Sequence, residues 1–376
     1  MAKWFRPLAG AGLALLAAAP LTGSGNALRD SSPAPDGPPA WAVAAAGQLS
    51  VEQQVGQLVV GGFDGLQAPR SIRSALRHGE LSGVILFAAN VASPRQLRKL
   101  TRSIQHAADR GALVSVDQEG GLVRRIPFAA PRQGQPYHGS VARVGRLARQ
   151  AATDLRSLGV NVNFAPVADV PVNSSADIVG RAFRGTAAEV AKRVAAAVES
   201  YGAGGVAATA KHFPGLGAAP RNTDDASVVI RRSRAQLRRA DLVPFRSAVA
   251  ARAPLIMVSH ATYPALDKDR IASQSERILD DLLRAKMRYD GATITDALEA
   301  SAVVKRSSVA VAAERSLAAG CDLLLLTHPT SHRTVVRHLT ARARASRATR
   351  LRIREAVARV LALKRTLGLQ LPRASS

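Results

Sequence analysis

Short apolar runs alternate with longer amphipathic stretches along most of this chain. The runs are Leu58–Phe63, Gly83–Ala88, Leu113–Asp117, Val160–Pro166, Val206–Lys211, Leu255–His260, Ala292–Asp296 and Cys321–Thr327. Each has the length of a strand and is almost continuously apolar, the pattern of a strand buried on both faces. Between them, Pro94–Arg110, Val141–Leu158, Ala187–Gly202, Arg234–Arg252, Ser275–Met287 and Val303–Ala319 place apolar residues at helical spacing. Strands alternating with helices predict a parallel sheet. Eight repeats of that unit fit a closed (β/α)8 TIM barrel, a single α/β domain over 48–370. An open doubly wound sheet holding a dinucleotide would want G-x-G-x-x-G directly after the first strand. Gly61-Gly62 lacks that pattern, and Gly202-Ala203-Gly204-Gly205 precedes a strand instead of following one.

The N-terminal end carries a different signal. Lys3 and Arg6 are followed by the apolar stretch Leu8 to Pro20 and a small, polar run from Thr22 to Ala27. That is the order of a secretory signal peptide, expected over 1–27. The apolar stretch is shorter than the roughly 20 residues a membrane span needs, so no transmembrane segment is expected. No Cys lies near the cleavage region, which disfavours a lipid anchor. Residues 28–47, with Pro33, Pro35, Pro38 and Pro39, read as a Pro/Ala-rich linker, and 371–376 as a tail. The chain is thus expected to be secreted or associated with the cell envelope. Its single Cys, Cys321, excludes an intramolecular disulfide and is expected to be a buried small hydrophobe.

Charge adds one expectation about partners. The formal net charge of +25 favours anionic surfaces, such as a cell-wall polymer. The basic residues are spread along the chain, and the densest region, Arg342 to Arg354, is expected to be a solvated face of a terminal helix. With few aromatics and no recognition motif, no specific nucleic-acid partner is expected.

Chemistry enters at the exits of the runs. Asp117-Gln118-Glu119 ends the third, Asp169 follows the fourth, Lys211-His212 ends the fifth, and His260, Asp296 and Thr327-His328 end the last three. In a barrel these positions converge on one mouth, where active sites sit. Asp296 could attack an anomeric carbon or stabilise an oxocarbenium-like transition state; its alternative is to cap a helix starting near Leu298. Lys211, His212, Arg125 and Arg181 offer donors to sugar hydroxyls, and Asp117 an acceptor. His260 either lines the mouth or ties a loop, and His138 is expected to be structural. Glu119 is expected to orient the Gly120-Gly121 turn.

Several blocks occur in one order: Val55-Gly56-Gln57-Leu58, Gly83 to Phe87, Asp117-Gln118-Glu119-Gly120-Gly121-Leu122-Val123-Arg124-Arg125, Asn163 to Val170, Lys211-His212-Phe213-Pro214-Gly215 and Thr295-Asp296. From about Leu49 to Leu369 the chain resembles the single-barrel β-N-acetylhexosaminidases of glycoside hydrolase family 3. The resemblance implies a retaining mechanism with Asp296 as nucleophile. It also implies that Asp117, Arg125, Arg181, Lys211 and His212 bind a terminal N-acetylglucosamine, without a metal or organic cofactor.

One block departs from that pattern. Where the family has Asp-Ser-His, whose His is the general acid/base, this chain has Asn222-Thr223-Asp224. A free Asp titrates at about 3.9, so Asp224 could donate a proton at neutral pH only if burial or a like charge raised it towards ~6. The expected function is removal of terminal β-linked N-acetylglucosamine from glycans such as wall fragments, with Asp224 as acid/base. The alternatives are a β-glucosidase or xylosidase of the same family, and a catalytically weakened glycan-binding barrel.

Overall fold

Each of the eight apolar runs coincides with a parallel strand, the fifth of which runs two residues past Lys211. They are β1 (Val59–Gly61), β2 (Gly83–Leu86), β3 (Leu113–Val116), β4 (Val162–Asn163), β5 (Ala207–Phe213), β6 (Leu255–Val258), β7 (Ala292–Thr295) and β8 (Leu324–Leu326). The structure, a computed structural model, describes residues 37–372. The signal peptide expected over 1–27, the start of the linker and most of the tail lie outside the described residues.

The strands pair in the order β7-β6-β5-β4-β3-β2-β1-β8, and a parallel bridge between Ile294 and Leu323 joins the two ends. The sheet is therefore a closed, single (β/α)8 barrel, as the alternation of runs predicts. Strand side chains alternate with period two. Val60, Ile85, Leu113, Val162, Leu255, Met257, Ile294 and Leu325 fill the interior, whereas Val59, Val84, Val114, Ile256 and Val258 pack under the helices. Val360, Leu363 and Leu367, on and just beyond the C-terminal helix Arg347–Thr366, belong to the interior cluster and plug the N-terminal end.

The β7–β8 seam has little ladder, and a buried carboxylate reinforces it. Asp322 accepts hydrogen bonds from Thr293 N (2.9 Å), Thr293 Oγ1 (3.0 Å), Arg284 (2.6 Å) and Arg352 (3.1 Å). Burial alone would raise its pKa, but Arg284, Arg359 and Arg352 outweigh burial and bring it to about 2.

Three expectations change. Residues 40–48 are not linker: Ala40–Gln48 is a helix, with Ala42 and Ala46 buried. The Arg365 guanidinium lies 4.5 Å from the Trp41 ring centroid. The Ala-rich run after Pro39 has high helix propensity, and contact with the C-terminal helix stabilises it. The helix expected over Val303–Ala319 is broken into Ser301–Val304 and Val309–Ala318 because Ser308 caps the second piece, accepting from Val311 N. The basic region 342–354 spans two helices, Ser331–Ala345 and Arg347–Thr366, with Ser346 as the second one's cap. No helix among the described residues is long and apolar enough to cross a membrane. Cys321 is buried, as expected of a small hydrophobe.

Candidate active site

The C-terminal ends of the strands surround a cavity of about 390 Å³. Its lining includes Asp117, Arg125, Arg181, Lys211, His212, Asp224 and Asp296, so all seven residues singled out from the sequence meet there.

Lys211 leaves the end of β5 almost fully buried, at 2 % exposure. Its ammonium is 2.6 Å from Asp117 Oδ1 and 2.6 Å from Glu119 Oε1. Glu119 in turn accepts two hydrogen bonds from Arg181, Nε to Oε2 at 3.0 Å and Nη2 to Oε1 at 2.7 Å. Burial disfavours the Glu119 charge, yet Lys211 and Arg181 outweigh it and bring its pKa down to about 2. Burial likewise works against the Lys211 charge, and Asp117 and Glu119 overcome it, holding its pKa above the usual range. Glu119 therefore does not serve the Gly120-Gly121 turn, as the sequence suggests; it is the shared counter-ion of two cations facing the cavity. The turn depends on glycine itself. Both residues have positive φ, and a Cβ on Gly120 would meet the Gln133 carbonyl.

The next residue, His212, is oriented by a carboxylate from another strand exit. Asp169 Oδ2 lies 2.7 Å from His212 Nδ1, and Asp169 also accepts from the backbone N–H groups of His212 and Leu216. That arrangement places the Nδ1 proton between ring and carboxylate and leaves Nε2 facing Asp296 Oδ2 at 4.0 Å. The Lys211–His212 peptide is cis.

Asp296 stands just past β7. Its backbone N–H continues the ladder to Val258 O, and its Oδ1 accepts from Ala297 N at 2.8 Å. The following helix begins only at Ser301, so Asp296 caps nothing. Burial pushes its pKa up, but His212, His260 and Lys211 outweigh burial and hold it below the usual carboxylate range. His260 is fully buried and bonded through Nδ1 to Ser273 Oγ (2.8 Å) and through Nε2 to Ala297 O (3.0 Å). It ties the loop beneath Asp296 and does not line the cavity. His138, buried and bonded to Gln133 O, is structural as expected.

Asp224 comes from the loop after β5. That loop is fastened on both sides: Val172 N donates to Gly217 O and Asp177 N to Ala219 O, while Ser301 N and Ala302 N donate to Asp224 O and Thr223 O. Asn222 Oδ1 accepts from Asp224 N at 3.1 Å, turning the chain there. Among the described residues, no hydrogen bond reaches the Asp224 carboxyl. Loss of water around it, then the Asp296 charge, raise its pKa to about 6, against the opposing pull of His212 and Arg181. The side chain stays open to solvent on one side. The mouth thus holds an ionised carboxylate on its floor and, on a fixed loop, a carboxyl group that keeps its proton to about pH 6.

Sequence reasoning missed three participants. Asp169 stood at a strand exit but carried no role. Glu299, three residues past Asp296, lines the cavity and accepts from Thr327 N (3.0 Å), and Arg221 lines the rim. A role for Glu299 or Arg221 depends on how two loops fold, which no local pattern records.

Known proteins resemble this chain in sequence and fold. Residues 50–363 match the profile described as the Glycosyl hydrolase family 3 N terminal domain. A β-hexosaminidase of Stenotrophomonas maltophilia is 35% identical over 278 residues, covering 71% of this chain and 82% of that protein. One from Pseudomonas aeruginosa is 36% identical over 264 residues, covering 68% and 77%. Among solved structures, the β-N-acetylhexosaminidase of Beutenbergia cavernae superposes with a TM-score of 0.79 at 30% identity, covering 84% of this chain and 98% of that one. A family 3 β-N-acetylglucosaminidase of Paenibacillus sp. FPU-7 gives a TM-score of 0.82 at 33% identity, covering 87% of this chain. This chain spans 64% of that longer protein.

Proposed function

The chain belongs to glycosyl hydrolase family 3, and on that footing we propose that it is an exported, retaining glycosidase removing terminal β-linked N-acetylglucosamine. The observation that carries the reading is the pair in one cavity: Asp296 with a lowered pKa and Asp224 raised to about 6. Two carboxyl groups pushed apart in acidity are what a nucleophile and a general acid need.

In the first step Asp296 attacks the anomeric carbon while the glycosidic C–O bond breaks. Asp224 gives its proton to the departing oxygen, leaving a glycosyl ester on Asp296. In the second step the Asp224 carboxylate takes a proton from water, which attacks the same carbon and releases Asp296. Asp117, Lys211 and His212 are proposed to hold the sugar's hydroxyls. Arg125 has a buried Nε–H without a partner, which a ligand oxygen would satisfy. Export is supported by the N-terminal pattern of Lys3 to Ala27, and a wall-fragment substrate by the +25 charge.

The test compares aryl β-N-acetylglucosaminide, β-glucoside and β-xyloside, following product anomers by NMR. We expect the N-acetylglucosaminide to be preferred and the first product to be β. Preference for the glucoside or xyloside would replace the sugar assignment, and binding of N-acetylglucosamine with no cleavage would indicate a glycan-binding barrel.

A further expected outcome concerns Asp169, a positioning residue that reaches substrate only through His212. Asp169→Asn removes a charged hydrogen bond, worth about 1.5–3 kcal/mol, so kcat/KM should fall about ten- to hundredfold. Steady-state kinetics check it, with circular dichroism as the folding control because Asp169 is buried: a fall in kcat/KM in a folded variant supports positioning, whereas an unchanged kcat/KM refutes it.

A further inference from the structure

A second cavity, of about 290 Å³, opens where the chain enters β1, β2 and β3, at the end of the barrel opposite the mouth. Its lining is apolar in part, through Leu76, Leu81 and Leu371. Its titratable residues are Lys364, Arg77, His106 and Asp109.

Lys364 is the unusual member. It lies in the last turn of the C-terminal helix at 2 % exposure, and its Nζ donates to Gln57 Oε1 at 2.6 Å. An ammonium has three donors, and among the described residues no ion pair supplies a counter-charge to this one. Buried charges are ordinarily paired, because leaving water without a partner is costly. Burial, the sole cause acting on it, brings the Lys364 pKa down to about 7. Arg77 and His106 are exposed, each in the last turn of its own helix, and no hydrogen bond commits either side chain to a carboxylate. Three groups able to carry positive charge therefore share one cavity with one acid.

We propose that this cavity is a binding site for a small oxyanion, which supplies the counter-charge that Lys364 lacks and is shared by Arg77 and His106. The anion stabilises the protonated amine, so its binding takes up a proton wherever free Lys364 is neutral. Affinity should accordingly fall as pH rises above about 7, roughly tenfold per unit until the amine titrates in the complex.

Sulfate is the probe, because it does not itself titrate in this range. Calorimetry on the full chain at pH 7.5 and 9, in buffers of different ionisation heat, reads both affinity and proton uptake. We expect sulfate to bind with net proton uptake and to bind at least tenfold more weakly at pH 9. Lys364→Met puts an apolar chain in place of a buried amine, so it should fold with a similar or higher thermal midpoint and lose the proton uptake. Arg77→Ala, a surface change, should weaken sulfate severalfold while keeping the uptake, and it decides the matter if Lys364→Met fails to fold. Sulfate binding without proton uptake, binding unaltered in both variants, or no binding at all would overturn the proposal.

Discussion

Replacing Asp296 by Ala is expected to lower turnover by at least about 10⁴-fold on every glycoside, whatever its leaving group, the scale on which losing a covalent nucleophile acts. The reason is positional. Asp296 is the strand-end carboxylate that His212, His260 and Lys211 together keep ionised, so an attacking anion is present even in mildly acidic solution. A better leaving group relieves the need for a proton donor but not for a nucleophile, and so no substrate should rescue the variant. The fold should survive, since the backbone link from Asp296 N to Val258 O does not involve the side chain. Kinetics with an activated aryl glycoside and a natural disaccharide, with circular dichroism as the folding control, test this directly. Turnover within tenfold of the unmodified protein would refute the assignment.

Asp224→Ala should behave differently, and the contrast separates the two roles. General acid catalysis contributes about 10²–10⁴-fold, and that factor should be lost on a disaccharide, whose departing oxygen is a poor leaving group. On an aryl glycoside with an acidic phenol the bond-breaking step needs little protonation and should stay within about tenfold. The second step then limits, because water lacks its base, and a small anionic nucleophile such as azide should speed it. A pH profile gives an independent reading. The Asp224 pKa is raised, so its proton is present below about 6 and lost above, whereas Asp296 is ionised down to below the usual carboxylate range. Disaccharide hydrolysis should therefore peak on the acid side and decline above about pH 6; in Asp224→Ala that decline should disappear. Equal losses on both substrates, with no azide effect, would mean that Asp224 does not move the proton.

The Asp224 expectation depends on a loop that carries Asn222-Thr223-Asp224 where the resemblance read from the sequence leads one to expect Asp-Ser-His. An imidazole with an Asp partner donates a proton near neutrality without further help. A carboxyl group at the same place must have its acidity adjusted by its surroundings. Here the partial loss of water and the Asp296 charge supply the adjustment, while His212 and Arg181 limit it. Any substitution that changes the distance between the loop and β7 should therefore shift the alkaline limb of the profile, through the same coupling.

Much of this was readable from the chain. The eight apolar runs specified eight strands because a strand buried on both faces has no room for polar residues except at its ends. For the same reason polar residues at the exits marked the mouth: Asp117, Lys211, His212, Asp296 and Thr327 line one cavity, where the loops add Arg125, Arg181 and Asp224. Composition misled at Ala40–Gln48, where Ala and Pro content suggested a linker; packing against the C-terminal helix supplied the partner that a helix of this length needs. What sequence could not give was how charges share partners. Glu119 looked like a turn residue because its neighbours are glycines, yet it pairs with Lys211 and Arg181, which are far from it along the chain. Asp169 became the holder of His212, and Lys364 a buried amine without a counter-ion, by the same kind of long-range placement. Hydrophobic periodicity is local and survives in one dimension, so the sequence by itself determined the barrel and the location of its mouth. Electrostatic environment is a sum over neighbours in space, and only the tertiary structure decided which carboxyl group is ionised and which keeps its proton.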